Sequence, residues 1–284
     1  FVIRGKVIVQ QFWNMKKGWD EEITGEIVEL FKSWEAEIFE LPNIEIPRSL
    51  KPTHEKIKRI ELHGFGDASQ LAYGGIVYMR FELEDESVVT RFILSKSRVA
   101  PKATKSLARL ELLAALVVSR LIAFVIDALH GIHVDSIHLW TDSTVALSWI
   151  SKPSSSWKTF VANRVQEIHD LVGASVWKFV PGKENPADLI SRGMKVQDLQ
   201  SSALYWHGPG WLLLDSENWP TKHSQSINVP ENDIEVNAEE KKTITMVVKV
   251  QENPIVTQFE KFDRLVRVVA WIYRWKLMLR REKS

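Results

Sequence analysis

The stretch Ile60-Glu61-Leu62-His63-Gly64-Phe65-Gly66-Asp67-Ala68-Ser69 is the point from which the rest of the chain is read. Ile60, Leu62 and Phe65 give a short apolar alternation, the period of a strand. The run stops at Gly66-Asp67-Ala68-Ser69, so one acidic side chain, Asp67, stands where a sheet gives way to a turn. Tyr73 to Tyr78 then reads as a second strand. Alone, an Asp in such a place is a turn former. Three further carboxylates downstream, in matching contexts, move the reading towards chemistry.

Ser87 to Leu94 reads as a third strand, and Ser95 to Lys105 as a basic loop with Lys96, Arg98, Lys102 and Lys105. Ser106 to Leu129 is a helix pattern that is apolar nearly all round, the signature of a buried helix. Glu111 sits one turn into it. A Glu there commonly pairs with the helix dipole. Flanked by Leu110, Leu112 and Leu113, this one is set to be partly buried and to need a partner or a metal. Ile137 to Ser143 repeats the first theme, a short strand ending in Asp142 and a hydroxyl residue. Helices follow over Thr144 to Ile150 and Trp157 to Val172, then a last strand over Val176 to Val180. The turn Pro181-Gly182-Lys183-Glu184-Asn185-Pro186 leads into a short helix that carries Asp188.

Were the first and fourth strands parallel neighbours, Asp67 and Asp142 would face each other at their carboxyl ends, where open α/β sheets bind ligands. The helix between them would bring Glu111 to the same spot. Clustered carboxylates cannot all ionise without a cation. All-oxygen ligation suits Mg²⁺ or Mn²⁺, and two such ions about 3.5–4 Å apart suit in-line cleavage of a phosphodiester.

The flanks carry less. Phe1 to Glu40 reads as two amphipathic helices separated near Gly18, and Pro42, Pro47 and Pro52 mark an extended connection. Leu204 to Pro220, with Trp206, Trp211 and Trp219, reads as an aromatic segment packed on the domain. Thr221 to about Pro254 reads as a mobile linker, with one possible strand at Thr243 to Val250. Phe259 to Ser284 reads as a basic amphipathic helix. The 284 residues carry a formal net charge of +1, so any nucleic-acid surface must be local. The absence of cysteine excludes disulfides and Cys-based zinc sites. No signal peptide and no membrane span is expected, and a first residue other than Met suggests a piece of a longer chain. His130, His133 and His138 read as a solvated approach to a strand rather than a metal site.

Taken in order, Gly64-Phe-Gly-Asp67-Ala-Ser, Arg109-Leu-Glu111-Leu-Leu-Ala-Ala, Trp140-Thr-Asp142-Ser and Pro181-Gly-Lys-Glu-Asn-Pro-Ala-Asp188-Leu-Ile-Ser-Arg resemble the ribonuclease H domain of retroelement polyproteins. Ser95-Lys-Ser-Arg-Val-Ala-Pro101 and the Trp-rich segment narrow the resemblance to BEL/Pao-type LTR retrotransposons. It implies a ribonuclease H-like α/β fold, a five-stranded mixed sheet flanked by helices, with helical extensions at both ends. It divides the chain into a helical reverse-transcriptase tail (1–52), the ribonuclease H-like domain (56–195), the Trp-rich segment (196–220), a linker (221–255) and a basic helix leading towards an integrase (256–284). It implies a metal-dependent endonuclease that cuts RNA in an RNA–DNA hybrid. Asp67, Glu111, Asp142 and Asp188 would be catalytic and would hold two Mg²⁺ or Mn²⁺ ions.

The implied partners are the hybrid and the other domains of the polyprotein, reverse transcriptase and integrase, with no membrane. The implied location is cytoplasmic, within virus-like particles. Leu107 and Ala108 stand where relatives often place hybrid-contacting amides, and Thr144 where many have Gln. Ser69, Lys96, Arg98, Lys102, Lys105, Arg109, Thr144 and Lys183 are therefore the expected nucleic-acid contacts. The competing reading is a catalytically silent domain of the same fold, serving as a structural or nucleic-acid-binding part of a polyprotein or a domesticated element. An integrase would call for a zinc-binding His/Cys module, and a polymerase for Tyr-x-Asp-Asp; the sequence has neither.

Overall fold

A computed structural model describes residues 1–18, 20–52, 56–101, 106–220, 234–241 and 262–281, with side chains to 279. The chain divides into two units, Phe1–Lys241 and Lys242–Ser284.

The first unit is built on a five-stranded mixed sheet in the order β3-β2-β1-β4-β5. The strands are β1 Ile57–Ala68, β2 Ala72–Leu83, β3 Val88–Val99, β4 Ser136–Thr141 and β5 Trp177–Phe179. β1, β2 and β3 form an antiparallel meander, while β4 runs parallel to both β1 and β5. This is the sheet the resemblance implies.

Helix α3, Leu107–Ala128, crosses one face. It begins where the Ser106 hydroxyl accepts the Arg109 backbone N–H, a side-chain N-cap. Leu112, Ala114, Val118 and Ile122 pack onto Leu62, Val77 and Leu139. The approach is close because Gly75 has no side chain: a Cβ there would lie 2.4 Å from Val118. Helices α4, Thr144–Ser151, and α5, Thr159–Val172, complete this layer, with Trp149, Trp157, Val161 and Val165 in its core.

The opposite face carries Phe65, Tyr78 and Trp140, all fully buried. It is covered by α6, Asp188–Arg192, and by residues 203–220, with Leu212, Trp211 and Trp219 over the sheet. The aromatic segment thus packs on the domain as its composition suggests. Arg80 of β2 fastens it, donating from Nε to the Leu212 carbonyl (2.8 Å) and from Nη2 to the Leu214 carbonyl (3.2 Å).

The two amino-terminal helices form, as α1, Val2–Asn14, and α2, Glu26–Ala36. They dock on the sheet domain. Gln10 donates to the Ala100 carbonyl, and the buried Glu37 pairs with Arg4 (2.6 Å) and accepts the Val196 N–H (3.0 Å).

Two expectations are corrected. The third strand does not stop at Leu94. It pairs with β2 as far as Ala72↔Val99, so Lys96 and Arg98 are strand residues and not part of a loop. Nor is all of 221–255 a free linker. Residues 234–241 are packed in the first unit, with Val236 and Glu239 buried and Glu240 bridged to Trp157. Ordering is offset there by an ion pair to Arg109 and by backbone bonds from Lys158 and Lys241. The suggested strand at 243–250 and the rest of the expected linker lie outside the described residues. In the second unit the basic amphipathic helix forms over Phe262–Arg281. No helix among the described residues is long and apolar enough to cross a membrane.

Candidate active site

The parallel register of β1 and β4 ends at Gly66↔Thr141. Asp67 and Asp142 are the next residue on each strand, so they stand side by side at the carboxyl edge of the sheet. Glu111, in the first turns of α3, reaches the same place and accepts the Ala68 backbone N–H. One carboxylate oxygen from each of Asp67, Glu111 and Asp142 lies within 4.8 Å of the others. Asp188 is outside that group. It sits at the rim on α6 and is ion-paired with Arg192 one helical turn on.

The turn before α6 is shaped to the site. A Cβ on Gly182 would stand 2.9 Å from Asp142 Oδ2, so a residue without one keeps that carboxylate in place. Asn185 donates to the Gly66 carbonyl (3.0 Å) and to Asp142 Oδ1 (3.4 Å). Ser191 donates its hydroxyl to Asp67 Oδ2.

Burial, then the charges of Asp67 and Asp142, push the Glu111 carboxyl up to about 9. Burial raises Asp67 to about 7, with Asp142 and Asp188 adding to it and the Ser191 hydrogen bond opposing. Burial likewise raises Asp142. Glu111 Oε2 is buried with no hydrogen-bond partner. A hard all-oxygen donor set, raised in affinity for a positive charge and holding one unpaired buried oxygen, fits a divalent ion such as Mg²⁺ or Mn²⁺.

A pH dependence follows for the protein kept in EDTA. Glu111 is protonated when folded up to about 9 and released above about 4.5 when unfolded, so its contribution is full at low pH and lost as pH rises through the folded value. His63, pushed down to about 4 by burial, acts in the opposite sense, but only below its ordinary 6.5. Between about pH 6.5 and 9 the wild type should therefore lose about 3 kcal/mol of stability, and Glu111→Gln much less. Urea unfolding at the two pH values checks this; equal wild-type stability at both would show that Glu111 is not held in this environment.

The other expected contacts are scattered. Lys96 and Arg98 are exposed on the edge strand β3, Thr144 opens α4 and Lys183 is exposed in the turn. The Ser69 hydroxyl is spent inside its own turn and on the Ser191 carbonyl. Arg109 lies over the Phe160 ring and is bound by Glu239. Lys102 and Lys105 lie outside the described residues. Sequence reasoning missed Asn185 and Ser191, because a polar residue in a turn or in the short helix Asp188-Leu-Ile-Ser-Arg shows its burial only in the fold.

A second group, Glu61, His63 and His138, also brings ligand atoms within 4.8 Å. His138 is thus half-buried on β4 and not in a solvated approach, while His133 is exposed. Arg80, Arg59 and Lys178 surround the group. His63 Nδ1 faces the Trp140 indole N–H, and His138 Nδ1 faces Lys178 Nζ. With Arg80, Arg59 and Lys178 around it, the Glu61 carboxylate already has positive partners in this group, whereas the Asp67, Glu111 and Asp142 group has no cation this close among the described residues.

A family profile described as the Pao retrotransposon-like RNaseH-like domain matches residues 1–143. The chain belongs to this family. The match begins in α1 and runs through Asp67, Glu111 and Asp142, so the docked amino-terminal helices are part of the Pao-type region. No curated protein matches the chain. Among solved structures, RNase H1 from Halobacterium salinarum is 18% identical over 46% of this chain and 93% of its own, with a TM-score of 0.30. An N-terminal RNase H domain from Mycobacterium tuberculosis is 13% identical over 47% and 91%, TM-score 0.30. LC11-RNase H1, solved in complex with an RNA/DNA hybrid, is 13% identical over 50% and 99%, TM-score 0.30. The Pao-type domain has the ribonuclease H-like fold: the meander, the parallel β4 and β5, and α3 across the sheet.

Proposed function

We propose that this domain hydrolyses the RNA strand of an RNA–DNA hybrid within a retroelement Pol polyprotein, beside its reverse transcriptase and integrase. The observation that carries the reading is the convergence of Asp67, Glu111 and Asp142, with a buried Glu111 oxygen left unpaired. These three, with Asp188 joining from the rim, would hold two Mg²⁺ or Mn²⁺ ions. Bound there, such ions would lower the pKa of an attacking water and stabilise the leaving 3′ oxygen, giving 5′-phosphate ends.

The chain's own residues would do the rest. Asn185 and Ser191 hold two of the carboxylates in orientation. Lys96, Arg98, Thr144 and Lys183 would meet the hybrid, whose shape and 2′-hydroxyls are read across the minor groove. The expected setting is cytoplasmic, within virus-like particles. The silent reading draws on two contacts, Arg192 on Asp188 and Glu239 on Arg109. Cleavage of a labelled hybrid, with Mg²⁺ and with EDTA, separates the two: Mg²⁺-dependent cuts in the RNA strand support the enzyme, and none at any metal concentration supports the silent domain.

No His should take part in turnover. His63 lies four residues before Asp67 on β1, roughly 13 Å at about 3.3 Å per residue. None joins the carboxylate group among the described residues. The pH–rate profile should lack a step near ~6.5. A step there that vanishes in His63→Gln or His138→Gln would show that a His reaches the site.

A further inference from the structure

The segment that closes the site carries more than the rim carboxylate Asp188. Ser191, 1% exposed, faces inward from α6 between the buried Ile190 and the end of β1. Its hydroxyl donates to Asp67 Oδ2 and also lies 3.2 Å from the Asp188 carbonyl. Its own carbonyl accepts the Ser69 hydroxyl at 3.0 Å, which ties α6 to the β1–β2 turn. Asp67 is thereby gripped from one side by a neutral donor that is itself fixed at two points. The carboxyl groups of Asp142 and Glu111 stand within 4.8 Å of it.

A hydroxyl buried among apolar neighbours is unfavourable unless bonded, and Ala would suit the same small space. One of the hydroxyl's two contacts stays within α6, to the Asp188 carbonyl, and the shorter one goes to a carboxylate of the acid cluster. Asn185, also 1% exposed, plays the matching part for Asp142.

We propose that Ser191 is a positioning residue for divalent-metal binding. It engages Oδ2 of Asp67 and so fixes the orientation of a carboxylate that shares its site with Glu111 and Asp142. This rests on the reading of Asp67 as a metal ligand. Partners that orient metal-binding groups typically contribute 10–100-fold in affinity.

The test is a Mn²⁺ titration of the full chain, read by electron paramagnetic resonance, for wild type, Ser191→Ala and Ser191→Thr. Thermal unfolding in EDTA is recorded for each. Ser191→Ala is expected to weaken Mn²⁺ binding by about 10-fold or more while its unfolding temperature in EDTA stays near that of wild type. Ser191→Thr, which keeps a hydroxyl, should restore most of the affinity. Should Ser191→Ala fold poorly, Ser191→Cys, similar in size and a weak donor, carries the same comparison. A hydroxyl-less variant that binds Mn²⁺ as tightly as wild type overturns the proposal and leaves the metal site standing. A wild type that binds no Mn²⁺ overturns the metal site, and this proposal with it.

Discussion

Asp142→Asn should lower cleavage of the RNA strand of a hybrid by about 10³-fold or more without unfolding the domain. Asp142 ends β4 beside Asp67, is held by Asn185, and offers an oxygen to the three-carboxylate group. Losing a charged ligand from such a group removes several kcal/mol of transition-state stabilisation, and about 4 kcal/mol is a factor of ~10³. The fold is expected to survive, because the site is a cluster of like charges. Burial raises the Asp142 carboxyl and its charge raises that of Asp67, so the neutral amide removes a buried charge and its repulsion with Asp67 when no ion is bound. In EDTA the variant should be as stable as wild type or more so. Single-turnover cleavage and urea unfolding together check this. Wild-type cleavage by Asp142→Asn would remove the assignment, whereas lost cleavage with lost folding would leave it without support from this variant.

Arg80→Ala should destabilise the first unit by about 3–5 kcal/mol, the usual consequence of removing one partner from a buried ion pair. Arg80 is 4% exposed and donates to Glu61 Oε2 at 2.8 Å. Desolvation would raise the Glu61 carboxyl, but the nearby imidazoles of His138 and His63 and the charge of Arg80 hold it well below the usual range. Without the guanidinium, the buried carboxylate keeps Arg59, at 3.2 Å, but loses its buried partner. The Leu212 and Leu214 carbonyls lose their donor at the same time, and Trp219 loses the cation 5.5 Å from its ring centroid. Residues 208–220 should loosen from the sheet. Tryptophan emission should shift to the red before global unfolding, and protease should cut there first. Arg80→Lys should recover only part of the loss, since an ammonium cannot aim donors in three directions as the planar fork does. An Arg80→Ala protein with the wild-type unfolding midpoint would show that apolar packing alone holds the segment.

Local pattern alone fixed a good part of this molecule. Alternation placed β1 and β4 and put Asp67 and Asp142 at their ends. Three-and-four spacing gave α2, a run of apolar residues gave α1, and the nearly continuous apolar run bounded α3 to within a residue at each end. Such signals are legible because period and capping are properties of neighbours in the chain.

The pairing of β1 with β4 was not legible, and it is what converts two strand ends into a site. The same holds for β3. Ser95 to Val99 alternates charge with hydroxyl and lacks a strand's apolar face, yet backbone bonding to β2 carries it on as far as Val99. Residues 234–241 read as linker because what buries them comes from distant parts of the chain. The ion pair of Glu239 is with Arg109, 130 residues away. Glu61, Arg80, His63 and His138 come from three strands and look unremarkable one by one. Ser191 has an identity that makes sense only beside Asp67, 124 positions distant. In each case the deciding interaction is between groups that only the folded sheet brings together, and a buried polar group takes its meaning from the partner it finds there.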